Sequence, residues 1–305
     1  MYQNVTSIKG RVDEFKNLQN IINEFDILAL VETNLDDDIK NDELGLQDFN
    51  LYRCDRNVFN SVKKTGGGVL LAIRKSIISS ELHLKSQSFE QVSVKMNFGD
   101  KNIFIGLIYF PPNSVFAKYN DYINEIQDFI LTSTLSTTFD DIIILGDFNL
   151  AGYEWNRNKN YSFSQGYNSS ASIRESTELM SNFCEIYKIF QYNTFKNSYN
   201  SILDLVFSNI SSLSLCKADD YFFDNTVFHC ALSITFTVNL KKINNNNYEK
   251  LYYNFNEGDY QNINNKLIEI DWDKIFDNDT ENSVVKFNEI IFKLIIEFIP
   301  KRKKK

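Results

Sequence analysis

The 305-residue chain reads as an α/β layered domain with mixed β-sheets, most simply a two-sheet sandwich with outer helices. Short apolar or alternating runs recur from residue 27 to residue 236. Helical patterns sit between some of them. Hydrophobic residues make up 43% and aromatics 14%, enough to bury a full core, which excludes wholesale disorder.

In chain order, Val12, Phe15, Leu18, Ile22 and Phe25 recur at helical spacing and predict a helix over 11–25. Residues 27–31 form a continuous apolar run, the mark of a strand buried on both faces. Further strands are predicted at 68–73, 91–96, 103–109 and 142–145, then at 203–207 and 231–236. Helical patterns cover 119–131 and 175–190. The pattern changes near residue 239. Asn244 to Asn247 is a polar run suited to a linker, which places a boundary at 238–248. Residues 1–238 then form the first domain, and 239–305 a linker and an amphipathic helical connector ending in Lys301-Arg-Lys-Lys-Lys305. That basic end suits nucleic-acid binding, nuclear import or a solvated helix terminus.

Composition narrows the classes. Three prolines and 11 glycines exclude collagen-like and Pro-rich chains. A net charge of −8 excludes a bulk nucleic-acid coat, though not a local basic patch. The four cysteines make no C-x-x-C pair, which argues against a zinc ribbon or a disulfide framework and for a reducing, intracellular compartment. The first ten residues lack the apolar core of a signal peptide, and the run 290–299 is too short and too charged to span a bilayer, so no membrane role is expected.

The strongest chemical signal is Ile142-Ile-Ile-Leu-Gly-Asp-Phe-Asn149. In extended backbone Asp147 and Asn149 point to one side while Phe148 packs away. A carboxylate and an amide together can hold a water, a phosphate oxygen or a hard cation; the same residues also suit an ordinary polar loop. Glu32 closes the run 27–31 and is expected at a sheet opening, as a Mg²⁺ ligand or as the first residue of a solvated loop. Asp204 lies among apolar neighbours and needs a partner unless it faces water from an edge. His229, at the mouth of a strand, is the natural partner, since an Asp–His pair fixes the tautomer and favours the charged ring; a purely structural histidine is the alternative. Asn4 alone reads as a cap or turn residue. Residues 66–68, all glycine, suit either backbone freedom or close approach to phosphate. Tyr109 precedes Phe-Pro-Pro-Asn113 and sits where the prolines must end a strand, as a rim hydroxyl or a packed aromatic.

The ordered series Asn4, Glu32, Arg53-Cys-Asp-Arg56, Gly66-Gly-Gly-Val69, Tyr109-Phe-Pro-Pro112, Gly146-Asp-Phe-Asn149, Ser201-Ile-Leu-Asp204 and His229 resembles the endonuclease/exonuclease/phosphatase superfamily, related to DNase and abasic-site endonucleases. Tyr2-Gln-Asn-Val5, Val31-Glu-Thr33, Gly146-Asp-Phe-Asn-Leu150 with Trp155, and Leu203-Asp-Leu-Val-Phe207 look most like the endonuclease domain of insect Jockey-like non-LTR retrotransposon polyproteins. The resemblance covers about residues 2–238 and extends more weakly through Tyr252 to Tyr260 and Ile270-Asp-Trp272, which look like the connector into a reverse transcriptase. The transcriptase itself is not in this sequence.

The resemblance implies a four-layer α/β sandwich and Mg²⁺-dependent cleavage of DNA phosphodiester bonds, with Mn²⁺ as a substitute ion, acting in the nucleus. It implies Glu32 and Asn4 as metal ligands, and Asp147 with Asn149 positioning or activating the attacking water. His229, paired with Asp204, would stabilise charge on phosphorus, and Tyr109 and Asn113 would contact the scissile phosphate. A hard cation and a cationic imidazole both neutralise developing negative charge. Two positions depart from the pattern. Phe228 stands where the superfamily usually has Asp, with Asp224 four residues earlier as the candidate replacement. Thr6 stands where related repair enzymes carry an acid, which bears against repair specialisation. The start of the chain just before Asn4 predicts a shortened strand at a sheet edge. A phosphatase of the same superfamily and a decayed, non-cutting binding module are the competing readings, and the loop 151–172 is the expected DNA-contacting surface.

Overall fold

A computed structural model describes the whole chain except residues 64, 133–138, 152, 156–161, 164–169, 225–226, 239–250, 277–279 and 304–305. The loop expected to contact DNA and the expected linker fall largely outside the described residues. Two compact units are present, residues 1–241 and 242–305.

The first unit runs β1 (Tyr2–Asn4), α1 (Val12–Asn17), α2 (Gln19–Ile22), β2 (Ile27–Val31), β3 (Phe49–Cys54), β4 (Val69–Arg74), β5 (Ile78–Leu82), β6 (Glu90–Phe98) and β7 (Lys101–Tyr109). It continues with α3 (Phe116–Thr132), β8 (Asp141–Asp147), β9 (Tyr153–Glu154), β10 (Ser162–Phe163), α4 (Ala171–Tyr187), β11 (Phe190–Gln191), β12 (Asp204–Ser208), β13 (Ser214–Lys217) and β14 (Leu232–Thr235). Two six-stranded sheets result, ordered β13-β14-β1-β2-β4-β3 and β11-β12-β8-β7-β6-β5. Each is mixed: β1 and β2 are parallel, as are β7 and β8, and the other neighbours are antiparallel.

Alternation along the strands builds the layers. Val92, Val94, Ile105, Leu107, Ile143, Leu145 and Val206 meet Ala29, Val31, Val69 and Leu71 between the sheets. The opposite faces carry Phe104, Ile108, Ile144 and Phe207 under α3 and α4, and Leu28, Leu30, Leu70 and Ala72 under α1 and α2. The four-layer sandwich expected from the sequence is therefore present.

Several expectations shift. The helix expected over 11–25 breaks at Leu18, whose N–H turns back to Phe15 O at 3.1 Å. The pattern over 175–190 ends early, because Lys188 adopts a left-handed conformation (φ 52°) that closes α4 and releases Phe190 to pair with Ser208. Most importantly, β1 is no edge. Three residues suffice because it lies inside the sheet, antiparallel to β14 and parallel to β2.

The second unit comprises β15 (Leu251–Tyr253), α5 (Tyr260–Glu269), α6 (Trp272–Ile275), α7 (Thr280–Phe298) and β16 (Lys301–Lys303). It is mainly helical. Its ends instead pair as strands, Tyr252 opposite Arg302, and Arg302 Nη2 donates to Glu257 Oε2 at 2.6 Å. The basic end is therefore partly a strand. Among the described residues no helix is long and apolar enough to cross a membrane.

One glycine fixes how β7 and β8 approach each other at the point where the chain leaves the sheet. A Cβ at Gly146 would lie 1.9 Å from Ile108 O, inside backbone that cannot yield. Gly146→Ala is expected to lower stability by about 3 kcal/mol, whereas Gly10→Ala, with nothing within 4 Å of the added Cβ, stays near neutral. Urea unfolding of the two variants checks this.

Candidate active site

Ladder register sets one row of side chains across the second sheet. Asp204 on β12 lies opposite Asp147 on β8, Asp147 opposite Tyr109 on β7, and Tyr109 opposite Glu90 on β6. All four sit at one end of the sandwich. The first sheet contributes Asn4 at the end of β1 and Glu32 directly after β2.

Hydrogen bonds join these residues. His229 Nδ1 and Asp204 Oδ2 are 2.9 Å apart, and the Tyr2 hydroxyl donates to Asp204 Oδ1 at 2.6 Å. Asn4 Nδ2 donates to Glu32 Oε1 at 3.0 Å and to Asp147 Oδ2 at 3.3 Å, bridging two carboxylates, while its Oδ1 accepts from Thr6 N at 3.2 Å. His229 Nε2 lies 3.7 Å from Asp147 Oδ2. Asp147 is fully buried.

Burial with three neighbouring acids shapes the protonation of the site. Desolvation pushes Asp147 well above the usual carboxylate range, and Asp204 and Glu32 add to the effect against the opposing pull of His229. Burial alone would lower the His229 imidazole; Asp204, then Asp147 and Glu32, outweigh it and hold the ring up at about 9. Desolvation and the Glu32 charge likewise drive the Tyr109 hydroxyl up, so it keeps its proton.

Asp147 and Asn149 come together by another route than an extended strand. β8 ends at Asp147, and Asn149 takes a left-handed conformation (φ 50°). Its N–H donates to Asp147 Oδ1 at 3.1 Å, and its Nδ2 is committed to Phe110 O at 2.8 Å. Phe148 packs into the core between Phe110 and Phe207. Glu32 is also left-handed (φ 54°). A non-glycine residue held there costs about 1–2 kcal/mol, a strain that clusters where geometry serves function. Asn113 is exposed in a turn (φ 64°), and no described hydrogen bond ties it to the cluster. Asp224, the candidate replacement acid, is likewise exposed and unconnected to the cluster among the described residues.

Two further side chains belong to this end of the sandwich. Glu90 Oε1 accepts from Arg56 Nε at 2.8 Å, and Glu90 Oε2 accepts from Gly68 N at 2.5 Å. Arg56 and Glu90 are 6% and 0% exposed. They hold the glycine turn, which receives Thr33 N at Gly68 O (3.2 Å) and Asn34 N at Gly67 O (2.7 Å) and so fixes the chain after Glu32. A Cβ on Gly67 would meet Glu90 Oε2 at 2.1 Å, so the turn must be glycine there. Sequence reading flagged Arg56 only through the resemblance and missed Glu90. Its one signal was an acid placed immediately before an alternating strand.

One oxygen each of Glu32 and Asp147 and one ring nitrogen of His229 lie within 4.8 Å of one another. With His229 Nδ1 engaged by Asp204, the carboxylate oxygens of Glu32 and Asp147 are the main donors. Two carboxylates beside an amide suit a hard divalent ion. The chemistry available is therefore cation binding flanked by a cationic imidazole and a protonated phenol.

The Arg56–Glu90 pair yields a stability prediction. Arg56→Met leaves Glu90 buried without its partner and is expected to cost about 3–5 kcal/mol. Replacing both members with apolar residues should recover much of that loss in urea unfolding.

Among solved structures the chain is similar to the AP endonuclease LMAP from Leishmania major, at 12% identity over 76% of this chain and 86% of that one, with a TM-score of 0.50. It is also similar to the endonuclease domain of TRAS1, a telomere-specific non-LTR retrotransposon, at 11% identity, 78% and 98% coverage and TM-score 0.49. An AP endonuclease from Archaeoglobus fulgidus matches at 14% identity, 78% and 98% coverage and TM-score 0.47. The likeness to the Leishmania enzyme is one of fold. A search of curated proteins found no match. The model of the Endonuclease/Exonuclease/phosphatase family matches residues 4–211, which cover β2 to β12 and every cluster residue except Tyr2 and His229. The chain belongs to the Endonuclease/Exonuclease/phosphatase family.

Proposed function

We propose that this protein is a divalent-metal-dependent endonuclease that hydrolyses DNA phosphodiester bonds. The observation that carries the reading is the cluster of two hydrogen-bonded groups, Tyr2–Asp204–His229 and Asn4 with Glu32 and Asp147, which meet where His229 Nε2 lies 3.7 Å from Asp147 Oδ2. A decayed chain has no reason to keep three acids around one imidazole in a buried site.

In this reading Glu32, with Asp147 and Asn4 beside it, would hold Mg²⁺ or Mn²⁺. The ion would supply Lewis-acid neutralisation of charge on the phosphate. Asp147, whose proton affinity is raised by burial, accepts the proton of the attacking water. The water oxygen forms the new bond to phosphorus as the bond to the ester oxygen breaks, and that oxygen leaves as the alcohol with a proton from solvent. Asn149 steadies Asp147 through its N–H donation to Oδ1. His229, kept cationic by Asp204, stabilises the charge that builds on the phosphate oxygens. Tyr109 donates its retained proton to a phosphate oxygen, and Asn113 contacts the strand from the exposed rim.

DNA as substrate rests on the resemblance of the sequence motifs to retrotransposon endonuclease domains. Nicking of target DNA for insertion, inside the nucleus, follows from the same resemblance.

Conversion of supercoiled plasmid to nicked circle tests the proposal. Nicking is expected with Mg²⁺ and not with EDTA, and Asp147→Ala and His229→Ala should each lower the rate about 10²- to 10⁴-fold. No nicking by folded wild type, or nicking undiminished in EDTA, would overturn the proposal. Hydrolysis of a small phosphomonoester instead of plasmid would point to a phosphatase.

A further inference from the structure

Beside the cluster lies a pocket of about 200 Å³ that the chemistry above leaves unused. Asp204 and His229 line it together with Lys196, Lys217, Ser198 and Phe228. It therefore shares Asp204 and His229 with the candidate active site. Phe228, which lines the pocket, stacks on the ring of Tyr199, with centroids 5.0 Å apart and planes 15° apart. Both remain open to solvent, at 56% and 47% exposure.

Hydrogen bonds tie down the described residues next to both rings. Ser198 N donates to Val227 O at 3.0 Å and ties one loop to the other. Asn197 Oδ1 accepts from Tyr199 N at 2.9 Å and from Ser201 N at 3.0 Å, which closes the loop under Tyr199. Phe228 adjoins His229 in the chain, and its ring centre lies 6.4 Å from the imidazole. A phosphate held at His229 therefore brings its own nucleotide to the edge of the stacked pair.

We infer that the Tyr199–Phe228 pair is a nucleobase platform, on which the base next to the scissile phosphate stacks during cleavage. The inference rests on the phosphodiester reading of the site. A flat aromatic surface accepts any base, because every base has a π-face. Lys196 and Lys217, which line the same pocket, suit the neighbouring phosphates. A base paired inside a duplex cannot reach such a platform without leaving its stack. The protein therefore favours DNA with an unpaired base at the cleavage position over fully paired DNA.

The test uses the full chain and a duplex carrying one bulged 2-aminopurine. With Ca²⁺ in place of Mg²⁺, stacking on the platform quenches 2-aminopurine fluorescence. Wild type and Phe228→Trp should quench it, whereas Phe228→Leu and Tyr199→Leu should not. With Mg²⁺ the two leucine variants should raise KM for the bulged duplex about 5- to 150-fold, the range set by the loss of one stacked base, with kcat within about twofold. Equal quenching and equal KM in wild type and leucine variants would overturn the platform while plasmid nicking persists. Quenching that depends on both rings, with no cleavage by any variant, would support the platform and overturn the hydrolase reading instead.

Discussion

Three carboxylates brought against one imidazole in a largely buried cleft are the constraint on which the rest of this structure depends. Two like charges about 4 Å apart at an effective dielectric of 20 repel by about 4 kcal/mol. Asp147 feels this most, being fully buried beside Asp204 and Glu32. The fold answers with a protonated His229, the Tyr2 hydroxyl on Asp204, and the Asn4 amide between Glu32 and Asp147. These neighbours leave an excess of negative charge, which a divalent cation is suited to balance. Folding and function therefore meet in the same few residues.

Holding such a cluster takes a rigid frame. The row Asp204–Asp147–Tyr109–Glu90 comes from sheet register, so none of its members can shift without the ladder shifting. Gly146 lets β7 and β8 close at that level. Glu32 has no such ladder, since it follows the end of β2 in a left-handed conformation. The turn at residues 66–68 grips the chain just beyond it, and Arg56 with Glu90 grips the turn. A buried ion pair of this kind adds little net stability but a large penalty for mispositioning. The geometry of Glu32 is thus set by residues two layers of contact away.

Much of this was legible in the residues. Apolar runs marked β2, β4, β7 and β8 because burial on both faces leaves a local signature. Asp147, Asn149, Asp204 and His229 stood out as polar residues at strand ends, and the pairing of His229 with Asp204 followed from the cost of a lone acid among apolar neighbours. Other features depended on information no local window holds. β1 is three residues long and is a strand only because β14 and β2 flank it. Glu90 faces Tyr109 by register alone. The left-handed turns at Glu32 and Asn149 have no glycine to announce them.

Binding of one divalent ion at this cluster is the central claim, and calorimetric titration of Mn²⁺ into the full chain tests it most directly. One site per chain is expected in wild type, lost in Glu32→Gln and retained in Tyr199→Leu. Absence of saturable binding by folded wild type, or unchanged binding in Glu32→Gln, would contradict the account.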